Sequence, residues 1–161
     1  MATPALAEEV RITPGSSEHL AAVMEVMDAA FGDRFGEAWT RSQLSGILPM
    51  SGVSLTLAVD RAREAVLGFS LVRTVADESE LLLIAVLPGE QRRGVGGLLL
   101  DEFLDRARED SVRRAHLEVR DGNAAIGMYL RAGFSQVGRR RKYYHAVDGK
   151  TYDAITLASE L

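Results

Sequence analysis

The chain has 161 residues, 47% of them hydrophobic and 26% charged, which suits one domain with one core and is too apolar for a disordered segment. It has no cysteine, which excludes disulfides, a thiolate nucleophile and a cysteine-based zinc site, and its three scattered histidines show no metal-ligand spacing. A net charge of −4 argues against nucleic-acid binding by the whole molecule, Met1 to Val10 lacks the basic and apolar regions of a signal peptide, and no apolar run approaches the ~20 residues that span a bilayer, so the expectation is a cytoplasmic protein.

Residues 1–9 read as a frayed start. Val10-Arg11-Ile12 alternates as a short strand stopped by Pro14-Gly15. Ser16 or Ser17 caps a helix with Leu20, Val23, Met24, Met27 and Phe31 at helical spacing, and Gly32 ends it. A shorter helix is predicted over 37–48, broken by Pro49 and Gly52. Three strand-like runs follow, at 54–59, 65–75 and 80–87. The third is the most apolar and is expected to be buried on both faces. A strong helix runs from Gly94 to about Glu109, with Val95, Leu99, Phe103 and Ala107 as its stripe. In the strand 114–120, Ala115, Leu117 and Val119 share one face while His116, Glu118 and Arg120 share the other. A short helix spans about Asn123 to Arg131, and strands at 134–145 and 151–158 join through an Asp148-Gly149 turn.

The order is β-α-α-β-β-β-α-β-α-β-β, without repeats or linkers. It predicts an α+β domain over 1–161, with a mixed, mostly antiparallel sheet of about seven strands and about four helices. The central strand–helix–strand unit requires a right-handed crossover between parallel strands.

Gln91-Arg92-Arg93-Gly94-Val95-Gly96-Gly97 ends the third run and opens the strong helix. The first N–H groups of a helix have no intrahelical partner and the dipole favours an anion there, so this is a ready phosphate site. A Walker A loop is excluded because Val95 stands where its lysine belongs. A dinucleotide fingerprint fails because Leu99 fills its third glycine position. The coenzyme A pattern, Gln/Arg-x-x-Gly-x-Gly/Ala, is matched in full from Gln91 to Gly96. A glycine-rich turn that merely packs a helix on a strand is the plainer alternative.

Leu83-Ile84-Ala85-Val86-Leu87-Pro88 with this loop resembles the central acetyl-CoA motif of the GNAT superfamily. Ala124 to Phe134, with Tyr129 and a Gly133-Phe134 ending, resembles the motif that follows. Within the superfamily, Leu117-Glu118-Val119-Arg120 and Arg141-Lys142-Tyr143-Tyr144 are most similar to the ribosomal-protein-alanine N-acetyltransferases. The resemblance covers about residues 79–158. It departs at Asn123, which stands six residues before Tyr129 where the family commonly has seven. It departs again at 31–40, longer and more charged than its counterpart, where the acceptor site should be shaped.

The resemblance implies a GNAT fold, acetyl-CoA as cofactor and direct transfer to an amine. The first choice of acceptor is the N-terminal alanine of a small-subunit ribosomal protein, with a small-molecule or lysine amine as the second. A non-catalytic coenzyme A sensor is the alternative of another class, and the chain is expected as a monomer or homodimer. Glu118 is the candidate base; the plainer alternative is a carboxylate paired with Arg120 or another arginine. Tyr129 is the candidate acid, against a role as a core tyrosine. The main chain of Ile84, Ala85 and Val86 is expected to hold the pantetheine arm and polarise the thioester carbonyl. Gln91 to Gly97 would take the pyrophosphate, and Asn123 would contact the cofactor. Tyr143 and Tyr144 resemble the peptide-facing segment, with aromatic packing as the alternative. The run Arg139 to Lys142 is read either as a site for an acidic partner or as a solvated strand end.

Overall fold

The computed structural model describes residues 4–161. The chain forms α1 (Pro4–Glu9), β1 (Val10–Pro14), α2 (Leu20–Phe31), α3 (Arg41–Ile47), β2 (Val53–Asp60), β3 (Ala65–Val75) and β4 (Glu78–Val86). It continues with α4 (Val95–Glu109), β5 (Arg114–Arg120), α5 (Ile126–Arg131), β6 (Ser135–His145) and β7 (Thr151–Glu160). The seven strands make one mixed sheet in the order β1-β2-β3-β4-β5-β7-β6. Its one parallel pair, β4 with β5, is the pair that α4 connects.

Local chemistry sets the element ends. Thr40 and Gln43 form a reciprocal capping box, so α3 begins at Arg41 rather than at the expected 37. Ser16 does the same with His19, whose Nδ1 accepts the Ser16 N–H at 3.0 Å, before a single 3₁₀ turn leads into α2. Residues 1–3 of the expected frayed start lie outside the described residues. From Pro4 the chain is helical instead, because Leu6, only 4% exposed, packs with Val10, Ala58, Leu67, Val95 and Leu99.

The sheet is covered on both faces. Val23, Val26 and Met27 of α2 and Leu44 of α3 pack on Leu55, Leu57, Phe69, Leu71, Leu83 and Ala85. Leu100, Phe103 and Leu104 of α4 pack with Val72, Leu81, Ala115, Leu117, Ile155 and Leu157. In β4, therefore, Leu81 belongs to the α4 layer and Leu83 to the α2 layer, although they are two residues apart. A bulge makes this possible: Leu71 faces Leu83 and Val72 faces Leu81, so Leu82 is an extra residue on β4. The same step ends the pairing with β5, whose last partners are Leu81 and Leu117. Beyond it the parallel strands separate. The expectation that β4 is buried on both faces holds, with Leu81 packed in the α4 layer and Leu83 and Ala85 in the α2 layer, and half-buried residues between them.

Gly68 of β3 lies against this bulged strand. A Cβ there would sit 2.7 Å from the Ala85 carbonyl oxygen and 3.2 Å from a Val86 methyl. Main chain cannot swing aside as a side chain can, so Gly68→Ala should cost about 1–3 kcal/mol of overpacking strain. Urea unfolding checks this through a lower midpoint at unchanged slope.

Candidate active site

The gap between β4 and β5 widens into a cleft of about 150 Å³. Its walls are Glu80 to Ile84 of β4, Leu117 to Val119 of β5, Asn123 and Tyr129, Tyr143 and Tyr144 of β6, Phe31 at the end of α2, and Glu37 and Trp39 from the α2–α3 connection. Glu118, Tyr129, Tyr143, Tyr144, Asn123 and Ile84 are thus brought together.

Glu118 is largely buried, and its Oε1 lies 2.7 Å from Nε of Arg140, a side chain 63% exposed. The plainer alternative weighed from the sequence, a pairing with Arg120 or another arginine, is thus met by Arg140, because Arg120 faces Glu37 instead. Tyr129 is 4% exposed and meets Phe134 edge-on, ring centroids 6.0 Å apart. Its hydroxyl has no hydrogen-bond partner among the described residues. Burial pushes its ionisation well above the ordinary tyrosine value, and Tyr144 and Glu37 add to the shift. Burial likewise raises Tyr144, with Glu37 as the next cause. Both phenols stay neutral at physiological pH, so Tyr129 brings a protonated hydroxyl group to a cleft that a carboxylate also lines. Tyr143 stands edge-on to Tyr144 at 5.0 Å and is half exposed.

A two-residue irregularity between Arg140 and Tyr144, with Lys142 at φ +53°, turns these tyrosines toward the cleft. The irregularity is held by Asp153, which accepts the Lys142 N–H at 3.0 Å and meets Arg139 at 2.8 Å. Those two bonds, the Lys142 amide first, keep Asp153 below the usual carboxylate range. Arg139 also meets Asp121 at 2.8 Å. Half of the basic run read as a partner site or a solvated strand end is therefore committed internally, Arg139 to two aspartates and Arg140 to Glu118.

The glycine loop lies at the other end of the gap. Gly94, at φ +96°, adopts the left-handed conformation that starts α4. The first intrahelical bond runs from the Leu98 N–H to the Gly94 carbonyl, so the amides of Val95, Gly96 and Gly97 have no intrahelical partner. The Val95 side chain is buried beneath them. A Cβ on Gly97 would meet nothing, and one on Gly96 would come no closer than 3.6 Å to Met128. This main-chain cradle is open and suits a pyrophosphate. Gln91 does not reach into it: its Nε2 donates to the Val86 carbonyl at 3.1 Å and ties the loop to β4. Arg93 is held by Glu90 and by Glu9 of α1. Arg92, at φ +64°, is exposed.

Asn123 spends its side chain within the protein. Its Oδ1 accepts the Ala125 N–H at 2.8 Å, and its Nδ2 donates to Glu37 Oε2 at 3.1 Å. Glu37 is the site residue that sequence reasoning missed. It sits in a segment marked only as unusually long and charged, and its partners Arg120 and Asn123 lie more than 80 positions away.

Residues 20–134 match the Acetyltransferase (GNAT) family. The chain belongs to that family. The ribosomal protein bS18-alanine N-acetyltransferase of Haemophilus influenzae is 38% identical over 96 residues, 60% of this chain and 66% of that one, so the chain spans just under two thirds of that relative. The enzyme of the same name from Salmonella typhimurium is 36% identical over 121 residues, 74% of this chain and 79% of that one. Among solved structures, the ribosomal-protein-S18-alanine N-acetyltransferase of Escherichia coli superposes with a TM-score of 0.84 at 28% identity, covering 94% of this chain and 93% of that one. The GNAT match reaches from α2 to Phe134 and so includes Glu37, Glu118, Tyr129 and the glycine loop, while β6 with its tyrosine pair lies beyond it.

Because Tyr129 ionises above its ordinary value when folded, its share of stability is present below about pH 10 and is lost as pH rises past that point, where only the unfolded chain gives up the proton. Unfolding free energy should therefore fall between pH 9 and 11. Tyr129→Phe should flatten part of that fall, with Tyr144 supplying the remainder. An equally steep fall in the variant would contradict the assignment.

Proposed function

We propose that this chain transfers the acetyl group of acetyl-CoA to the N-terminal amine of a protein, an alanine at the start of a small-subunit ribosomal protein, by direct transfer in a ternary complex. The observation that carries the reading is a carboxylate and a neutral phenol in one cleft, at the split between two parallel strands, with the open amide cradle of α4 at the other end of that split.

The cofactor supplies an acetyl group already activated as a thioester. The amides of Val95, Gly96 and Gly97 hold its pyrophosphate, with Arg92 free to add charge. The main chain of Ile84, Ala85 and Val86, released from β5 by the bulge, holds the pantetheine arm and donates to the acyl oxygen. Glu118 accepts a proton from the acceptor. An α-amine, with a reference value of about 7.7–8.0, asks less of one carboxylate than a lysine near 10.4. Tyr129 holds the proton that the departing sulfur takes. Arg140 occupies the counter-charge position beside Glu118 until an ammonium arrives, and its exposed side chain can swing into water. Tyr143 and Tyr144 flank the entering peptide.

Support for the N-terminal acceptor comes from the relatives, which are named for acetylating an alanine of a ribosomal protein. Released thiol should be followed with peptides beginning Ala-, Ser- and Met-, and with free lysine. The Ala-starting peptide should be preferred. Glu118→Gln and Tyr129→Phe should each lower kcat by ~100-fold or more, as expected for general acid–base groups. Turnover of lysine with inert peptides would leave family membership intact and refute the N-terminal reading.

A further inference from the structure

The α2–α3 connection is held by one cluster of side chains. The Arg120 guanidinium lies 3.7 Å from the Phe35 ring centroid and 5.8 Å from that of Tyr152, and Phe35 meets Tyr152 edge-on at 5.1 Å. Arg120 Nε is 3.2 Å from Glu37 Oε1, an ion pair without hydrogen-bond alignment, and both side chains are nearly buried, at 12% and 11% exposure. The second Glu37 oxygen takes the Asn123 amide. Gly36, at φ +74°, lets the connection close onto β6, since a Cβ there would run into the His145 main chain.

We propose that Phe35, Glu37, Arg120 and Asn123 form a brace that positions the acceptor wall, so that they set specificity for the acceptor and leave cofactor affinity untouched. This rests on the reading that the cleft admits an acceptor amine. A buried ion pair adds little to stability over an apolar pair of the same size, but it fixes which segment meets which. Here it fixes Glu37 and Trp39 at the cleft, on a connection that would otherwise span 32–40 without regular structure. The brace is distant from the cofactor cradle in its contacts: its bonds and ring contacts join Phe35, Glu37, Arg120, Asn123, Ala125 and Tyr152, outside Gln91 to Gly97. Asn123, expected from the resemblance to contact the cofactor, belongs to this brace, because both ends of its amide are spent on Ala125 and Glu37. Arg120 suits the role better than a lysine, since only a flat guanidinium can stack on Phe35 while facing a carboxylate.

The test separates two Michaelis constants. Phe35→Leu, a half-buried and mild change, and Glu37→Gln should each raise the acceptor KM by about 10-fold while the acetyl-CoA KM stays within about 2-fold. Arg120→Lys should retain part of what Arg120→Gln loses. Calorimetry should find acetyl-CoA binding to Asn123→Ala unchanged. A general loss of structure would raise both constants together. The acceptor used is whichever amine the wild type turns over best, so a failed N-terminal reading shows in the wild type and a failed brace shows only in the variants. An unchanged acceptor KM in both Phe35→Leu and Glu37→Gln, or weakened acetyl-CoA binding in Asn123→Ala, would overturn the proposal.

Discussion

The parting of β4 from β5 after Leu81 and Leu117 is the constraint on which the rest depends. Parallel strands normally pair along their shared length, and a single extra residue at Leu82 prevents it here. That residue moves Leu83 and Ala85 into the α2 layer while Leu81 stays in the α4 layer. The cost is that main-chain groups on the β5 side of this stretch, the Ile84 and Val86 amides among them, lack a strand partner while the other side stays paired with β3. In the proposed function a ligand arm lying along β4 answers it. The fold thereby leaves a slot with a helix N-terminus at one end and titratable side chains at the other.

Charge in that slot is balanced by residues from different parts of the chain. Glu37, Glu80 and Glu118 all line the cleft, and each faces an arginine: Arg120, Arg73 and Arg140 respectively. The three pairs differ in exposure, and exposure decides what each can do. Arg120 is packed between aromatic rings and cannot leave. Arg140 is in water for most of its length, so its pairing is weak and exchangeable. Under the proposed function, Glu118 is suited to the chemistry because its partner can be replaced by an incoming ammonium, and Glu37 and Glu80 are suited to structural pairing. Tyr129 completes the arrangement because burial keeps it protonated.

Most of the architecture was legible in the sequence. Alternation in 114–120 and the stripe of Val95, Leu99, Phe103 and Ala107 report burial directly, and the Gly94 turn announces the open start of α4. Legibility failed where long-range packing overrides local pattern. Glu8-Glu9 and a lone Leu6 read as a frayed tail, yet Leu6 finds a pocket built by β2, β3 and α4. The bulge at Leu82 leaves no mark, since Leu-Leu-Leu-Ile is apolar in either register. Glu37 carried only the signal of an unusual segment, because its meaning comes from Arg120 and Asn123. Gln91 and Arg93 fit the cofactor pattern, but side-chain bonds to Val86 and Glu9 decide where they point.

The most direct test of the account is hydrogen exchange at the amides of Ile84 and Val86, which point away from β3, and of residues 95–97, measured with and without acetyl-CoA. If the split strand and the helix start hold the cofactor by main chain, both groups should exchange quickly in the free protein and be strongly protected in the complex. Protection confined to other residues, or slow exchange at Ile84 and Val86 in the free protein, would contradict it.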